Sequence, residues 1–104
     1  MRELDKAQSG GELLVRVGET LELKLPENPT TGYRWQLSSS GSPVLYLVED
    51  DFTPTGTAVG TGGMRHWTFR VEQAGAAQLE LELRRSWERQ AMDTFGITIR
   101  ATAK

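Results

Sequence analysis

The side chains that could carry acid–base or nucleophilic chemistry are few, and their spacing is wrong for it. The one histidine, His66, directly precedes Trp67 in a run of alternating polar and apolar residues, so it should face away from the core. It has no cysteine or serine partner at a fixed spacing, as a catalytic triad would require. Asp50 and Asp51 are neighbours, and neighbouring side chains on a strand point to opposite faces. We interpret these three residues as solvated strand side chains and predict that the protein is not an enzyme.

Metal and phosphate sites are disfavoured in the same way. One histidine and no cysteine leave too few of the usual ligands for a transition metal. The Gly-Thr-Gly-Gly run at 60–63 lacks the Lys-Ser/Thr pair of a Walker-type phosphate loop, because Met64 and Arg65 follow it. Pro29 occupies the middle position of the apparent glycosylation sequon at Asn28 and so disqualifies it. We expect no cofactor and no bound metal.

Three segments are better suited to binding than to catalysis. The first, residues 28–32, combines a proline that fixes its own φ with a glycine that permits a turn, and its tip offers two threonine hydroxyls. The second, residues 54–63, is rich in glycine and forms either a flexible hairpin tip or a backbone that another chain can approach closely. The third contains Trp87 among charged residues, where the indole is either an exposed anchor or folded back onto the sandwich edge.

Elements with a period of two must position these segments. Apolar residues alternate with polar ones in several runs, as expected for antiparallel strands that cover a core on one face. The apolar positions are Leu21, Leu23, Leu25, Tyr33, Trp35, Leu37, Trp67, Phe69, Val71, Leu79, Leu81, Leu83, Phe95, Ile97 and Ile99. This pattern predicts an all-β fold, an immunoglobulin-like antiparallel β-sandwich of about seven to eight strands. Residues 1–104 should form one domain, since this length suits a single small core.

Two other runs are less regular. Leu13, Val15 and Val17 predict a weak first strand, and the continuous apolar run from Val44 to Val48 predicts a strand covered on both faces. In an up-and-down order the three binding segments follow every second strand, and alternate connections lie at the same end of a sandwich. We therefore expect the three segments to converge on one surface.

Charge and hydropathy limit the partners. The formal net charge of −2 argues against nucleic acid, which selects a basic face. No apolar run is long enough to span a bilayer, so we expect no membrane partner, and the charge tally suggests a monomer. The charged start, Met1 to Lys6, lacks the apolar core of a signal peptide. The expected location is the cytoplasm, or the periplasm or exterior if a leader has been removed.

The three segments together resemble the chagasin-type inhibitors of papain-like cysteine peptidases. Residues 28–33, Asn-Pro-Thr-Thr-Gly-Tyr, resemble the N-P-T-T-G-Y/F motif of that family, and Trp35 follows in step. The run at 60–63 matches its G-x-G-G motif, and Arg85-Ser86-Trp87 stands in the place of its R-P-W motif. Order and spacing agree over roughly residues 12 to 102. Ser86 replaces the proline of the family, which should leave the third segment less rigid.

The resemblance implies an immunoglobulin-like fold and a reversible, tight-binding inhibitor that occludes the catalytic cleft without covalent chemistry. It implies that Thr31 lies near the catalytic cysteine, that the glycine run lies along the non-primed side, and that Trp87 covers the primed side. The residues it assigns to peptidase binding are Asn28, Pro29, Thr30, Thr31, Gly32, Tyr33, Gly60, Thr61, Gly62, Gly63, Arg85 and Trp87. The alternative is a non-inhibitory immunoglobulin-like module that uses the same loops for adhesion or glycan binding.

Overall fold

Eight β-strands account for most of the chain in the computed structural model, which describes residues 2–56 and 62–103. The strands are β1 (Arg2–Leu4), β2 (Glu12–Arg16), β3 (Thr20–Glu27), β4 (Arg34–Ser40), β5 (Leu45–Pro54), β6 (Gly63–Val71), β7 (Gly75–Arg84) and β8 (Asp93–Thr102). They form two four-stranded sheets, with the strand orders β1-β3-β6-β5 and β2-β8-β7-β4. The prediction of an all-β sandwich of seven to eight strands is confirmed. No helix in the described ranges is long and apolar enough to cross a membrane.

The core lies between the two sheets and is built from the alternating positions. Leu21, Leu23 and Leu25 of β3 are completely buried. The same alternation buries Trp67, Phe69 and Val71 on β6, Leu79, Leu81 and Leu83 on β7, and Phe95, Ile97 and Ile99 on β8. Because each strand buries every second side chain, the polar residues between them face solvent and the strand ends carry the connecting loops.

The strand over residues 44–48 differs from the prediction. Val44 and Leu45 are buried, but Tyr46 is 55% exposed and Val48 is 51% exposed. β5 is the edge strand of its sheet, next to β6, and its register shifts between Leu47 and Glu49. The prediction of a strand covered on both faces is therefore wrong. The apolar run looks continuous because an edge strand tolerates isolated apolar side chains on its solvent face.

The N-terminal part of the chain also departs from a simple up-and-down order. β1 precedes the predicted first strand and pairs in parallel with β3, and β2 pairs in parallel with β8. The chain crosses from one sheet to the other between β1 and β2. A strand of three residues with one buried side chain, Leu4, is too short to show a period of two. The remaining strand pairs are antiparallel, so the connections β3–β4, β5–β6 and β7–β8 lie at one end.

Candidate functional site

The first loop, residues 28–33 between β3 and β4, is held in shape by its own hydrogen bonds. The Asn28 side-chain oxygen accepts from the Thr30 N–H at 3.2 Å and from the Thr30 hydroxyl at 2.6 Å. The Thr31 hydroxyl donates to the Asn28 carbonyl oxygen at 2.8 Å. Pro29–Thr31 form one 3-10 turn, which ends at Gly32 with φ of +83°. Thr30 and Thr31 are exposed at the tip, so the loop presents a rigid and uncharged surface.

Trp35 closes the base of the first loop with two hydrogen bonds. Its backbone N–H donates to Glu27 Oε2 at 2.8 Å, and its indole Nε1 donates to the Pro26 carbonyl oxygen at 2.8 Å. The indole itself is buried in the core. Because the donors lie at the start of β4 and the acceptors at the end of β3, they tie the two ends of the loop to the sandwich.

Glu27 is a buried charge that the sequence reasoning did not identify. It is 5% exposed, and Arg65 Nη1 lies 3.4 Å from its Oε1. Arg65 also binds Asp50 through Nε at 2.5 Å and Nη2 at 2.8 Å. The hydrogen bond to Asp50 raises the pKa of Arg65 above its usual value. The guanidinium beside Glu27 is therefore charged. Asp50 is therefore an ion-pair partner rather than a purely solvated side chain.

A signal for Glu27 was present in the alternation of β3. Leu21, Leu23 and Leu25 point inward, and Glu27 continues the same parity. A carboxylate on the core side of a strand needs a partner, because burial without one is costly. Arg65 lies next to Glu27 across β3 and β6, where Leu25 pairs with Arg65 and Glu27 with Gly63.

The third loop, between β7 and β8, forms a tight turn with Trp87 at its tip. The Glu88 N–H donates to the Arg85 carbonyl oxygen at 3.1 Å, which makes residues 85–88 a β-turn with Ser86 as the second residue. Arg84 Nη1 donates to the Glu88 carbonyl oxygen at 3.1 Å. The Trp87 side chain is 72% exposed. Of the two interpretations of Trp87, this exposure agrees with an anchor for a partner.

Arg85 connects the third loop to the first. Its Nε donates to the Thr31 carbonyl oxygen at 3.1 Å, and its Nη1 lies 3.3 Å from Glu88 Oε1. The guanidinium lies 4.3 Å from the centre of the Tyr33 ring and 5.8 Å from that of Trp87. Such cation–π contacts stabilise the packing of charged and aromatic side chains. The two loops therefore form one surface rather than two independent tips.

Gly32 is needed for this contact as well as for its turn. A Cβ at position 32 would lie 3.0 Å from Trp87 Cη2 and 3.6 Å from Arg85 Cγ. The positive φ of Gly32 would also strain any side chain built there. A single glycine thus lets the first loop turn and lets the third loop pack against it.

The glycines of the second loop are described only in part. Gly60 and Thr61 lie outside the described residues. Gly62 has φ of +73°, and a Cβ there would lie 3.2 Å from the Glu27 carbonyl oxygen. A Cβ at Gly63 would lie only 2.3 Å from the Thr53 carbonyl oxygen. The close backbone approach that these two glycines permit is therefore to the chain itself, and Gly62 brings the second loop against the base of the first.

The same end of the sandwich carries a shallow groove between the loops. Its lining includes Pro26, Tyr33, Gly62, Leu83, Arg85 and Met92. His66 lies on β6, on the outer face of the sheet β1-β3-β6-β5, where its Nε2 is 2.8 Å from the Thr53 hydroxyl. In residues 2–56 and 62–103, no group of three or more His, Asp or Glu side chains could hold a metal ion. A two-sheet β-sandwich of this kind belongs to the immunoglobulin-like class of folds, and here the first and third loops form one exposed surface at one end of it.

The comparisons with known proteins identify the family within that class. The model of the chagasin family peptidase inhibitors (I42) matches residues 14–99, so the chain belongs to this family. Chagasin from Trypanosoma cruzi is 33% identical over 102 residues, which cover 93% of each chain. The fold matches that of EhICP2, a cysteine protease inhibitor from Entamoeba histolytica, with a TM-score of 0.88, 18% identity and coverage of 97% of this chain and 95% of that one. It also matches PbICP-C, solved in complex with falcipain-2, with a TM-score of 0.65, 15% identity and full coverage of both chains.

Family membership confirms the resemblance seen in the three motifs and the class of function that it implies. The chain is a peptidase inhibitor and not an enzyme. The family match also favours inhibition over the alternative of a non-inhibitory adhesion or glycan-binding module.

Proposed function

We propose that this chain is a reversible, tight-binding inhibitor that occludes the catalytic cleft of papain-like cysteine peptidases with its three loops. This class of target follows from the family, whose members are peptidase inhibitors and include chagasin. The resemblance to the chagasin-type inhibitors implies that three loops enter the cleft together. One observation above all supports this mode of binding, the physical connection of the first and third loops through Arg85.

The first loop supplies the part that enters the cleft. Thr30 and Thr31 are exposed, carry only hydroxyls and sit on a turn that their own hydrogen bonds stabilise. A narrow polar cleft accepts such a tip without burying an unpaired charge. The Glu27 and Trp35 contacts hold the loop before the enzyme arrives, which lowers the ordering cost of binding.

The third loop supplies the apolar anchor. Trp87 presents a large ring with only two rotatable side-chain bonds, which is typical of strong interface residues. Arg85 and Tyr33 support the Trp87 side of the surface. We assign Arg85 to holding the loops and Trp87 to direct contact with the enzyme.

The second loop completes the surface on the other side of the first. Gly62 packs against Asn28, where a Cβ would lie 3.3 Å from the Asn28 Cβ. This contact supports an arrangement in which the first loop is the middle of a wedge. Together, the three loops could bury an area near the usual ~1,600 Å² of a stable complex.

Titration of a papain-like peptidase of known active concentration tests the proposal. We expect residual activity to fall linearly to zero at a one-to-one ratio, and activity to return on dilution because binding is reversible. The heat-unfolded chain serves as the control for non-specific effects. Failure to inhibit several papain-like peptidases at equimolar concentration would contradict the proposal.

A further inference from the structure

The carbonyl oxygen of Thr31 is already engaged within the inhibitor. Arg85 Nε donates to it at 3.1 Å. Glu88 and the Tyr33 ring hold the same guanidinium, at 3.3 Å from the carboxylate and 4.3 Å from the ring centre. Because Thr31, Glu88 and Tyr33 all contact the Arg85 guanidinium, the position of its Nε–H is fixed. The Thr31 carbonyl oxygen therefore points toward the third loop of the inhibitor itself.

The backbone at this point is also far from the shape of a bound substrate. Pro29–Thr31 form a 3-10 turn, and Gly32 follows with φ of +83°. A bond is cut when its carbonyl carbon faces the nucleophile and its oxygen enters the oxyanion hole of the enzyme. Arg85 already occupies one of the two acceptor positions of the Thr31 oxygen, so this oxygen enters an oxyanion hole most readily once that hydrogen bond is broken.

We propose that Arg85 is a positioning residue that protects the Thr31–Gly32 bond from hydrolysis, so that loss of Arg85 converts the inhibitor into a substrate. This inference rests on the proposed function, in which Thr31 lies beside the catalytic cysteine. It assigns to Arg85 a task that differs from contact with the enzyme, since its guanidinium is already committed to Thr31, Glu88 and Tyr33.

The reaction that Arg85 opposes is ordinary peptide hydrolysis. The thiolate sulfur of the enzyme attacks the Thr31 carbonyl carbon, the bond to the Gly32 nitrogen breaks, and the imidazolium of the enzyme gives that nitrogen a proton. Water then adds its hydroxyl to the acyl carbon and its proton to the imidazole, which restores the thiolate and releases Thr31 with a new carboxylic acid end that gives its proton to solvent. During both steps the Thr31 oxygen carries negative charge and must sit in the oxyanion hole.

The experiment compares the wild-type chain with Arg85→Ala and Arg85→Lys under a saturating excess of active papain-like peptidase. Mass spectrometry over time detects the fragment that ends at Thr31 and gives the rate of cleavage within the complex, independent of affinity. Arg89→Ala, in an exposed residue of the same loop, is the matched control. We expect cleavage of Arg85→Ala to be at least about tenfold faster than that of the wild type, the factor that one charge-assisted hydrogen bond is worth. The cleavage rate of Arg85→Lys should lie between those of the wild type and Arg85→Ala, and the rate of Arg89→Ala should equal that of the wild type.

The possible failures are distinguishable. A wild-type chain that does not inhibit would contradict the proposed function. A wild-type chain that inhibits, together with a saturated Arg85→Ala complex that stays intact or is cut elsewhere, would overturn this inference alone. If Arg85→Ala does not fold, Glu88→Gln tests the same idea, because it keeps Arg85 but weakens the ion pair that fixes it. Its Thr31–Gly32 bond should be cut faster than that of the wild type, and an unchanged rate would overturn the inference.

Discussion

We expect Trp87 to contribute to binding far more than to folding. Its side chain is 72% exposed, so truncation removes little buried surface from the free inhibitor. We predict that Trp87→Ala weakens inhibition by about 1–3 kcal/mol, or about five- to 150-fold, because the proposed complex buries the indole. The free energy of unfolding should change by less than about 0.5 kcal/mol. Inhibition constants and denaturant unfolding of the two proteins measure both effects.

Leu14→Ala is the matched control for Trp87→Ala. Leu14 is 64% exposed on β2, outside the three loops. Its truncation should leave inhibition unchanged. An inhibition constant for Trp87→Ala equal to that of the wild type would show that Trp87 is not an anchor.

Glu27 couples the stability of the fold to the shape of the first loop. Glu27→Gln keeps the volume and an acceptor for the Trp35 N–H but removes the charge facing Arg65. We predict a loss of about 1–3 kcal/mol in the free energy of unfolding, less than for a fully buried pair because Arg65 keeps Asp50. Inhibition should weaken as well, since the base of the loop loosens. Denaturant unfolding gives the free energy of unfolding, and inhibition constants give the effect on binding. Both are measured at a temperature well below that of thermal unfolding.

Glu22→Gln is the matched control, because it removes a carboxylate that is only half-buried. Glu22 lies on the same strand and pairs with Lys24 near solvent at 3.3 Å. Loss of the Glu22 charge should lower the free energy of unfolding by less than about 1 kcal/mol and leave the inhibition constant unchanged. If Glu27→Gln behaves in the same way, the ion pair has no role in holding the loop.

Individual residues show where sequence reasoning succeeded. The inward positions of the strands follow from alternation, because a sheet buries every second side chain. The partners of Glu27 and Arg85 do not follow, because each contact joins segments that are distant in the chain, 38 residues from Glu27 to Arg65 and 54 from Thr31 to Arg85. Parity alone could place Glu27 inward but could not supply its cation.

At the scale of elements, the third turn is where this chain departs from the R-P-W motif that it resembles. Ser86 is the second residue of the 85–88 turn, the position that proline favours in a type I or II turn. In the described part of the chain, no hydrogen bond from the Ser86 N–H is found, so a proline there would cost no such bond. The predicted loss of rigidity at this position therefore has a local cause, the freer φ of serine.

We predict that Ser86→Pro stabilises the protein by about 0.4–1 kcal/mol, because it restricts the unfolded chain at a site that suits proline. It should also slow dissociation from the peptidase by lowering the ordering cost of the third loop. Thermal unfolding and dissociation rates measure the two effects, with Ser86→Ala as the control that removes the hydroxyl without adding a ring. A lower melting temperature for Ser86→Pro than for Ser86→Ala would mean that the backbone of the turn does not accept proline.

The elements also show what patterns miss. The continuous run at 44–48 predicted a strand covered on both faces, whereas β5 is an edge strand with Tyr46 and Val48 exposed. Composition within a strand does not report its place in the sheet, which depends on pairing between distant segments. Likewise the glycine run predicts either a hairpin tip or a backbone that another chain can approach, and composition does not choose between them. The Thr53 backbone of the neighbouring strand β5 leaves no room for a side chain at Gly63, so this glycine has a structural role of its own.

At the scale of the whole molecule, the sandwich separates two tasks. The buried residues of both sheets stabilise the fold, and the residues proposed to bind the peptidase lie on three connections at one end. This separation lets the first and third loops stay exposed and rigid together, because each is tied to strands that the core holds in place. A rigid surface of this kind can block a cleft without any reaction between the two proteins.

Binding should therefore not depend on the nucleophile of the enzyme. We predict that a papain-like peptidase whose catalytic cysteine is replaced by serine binds this inhibitor with a dissociation constant within about tenfold of that of the active enzyme, since no covalent bond contributes. Calorimetry with the inactive variant and inhibition kinetics with the active one give the two constants. A peptidase alkylated with a bulky group at the cysteine is the control, because it should exclude the tip at Thr31 by steric overlap. Loss of binding on the change to serine would show that the thiolate itself takes part, and that the wedge alone does not explain inhibition.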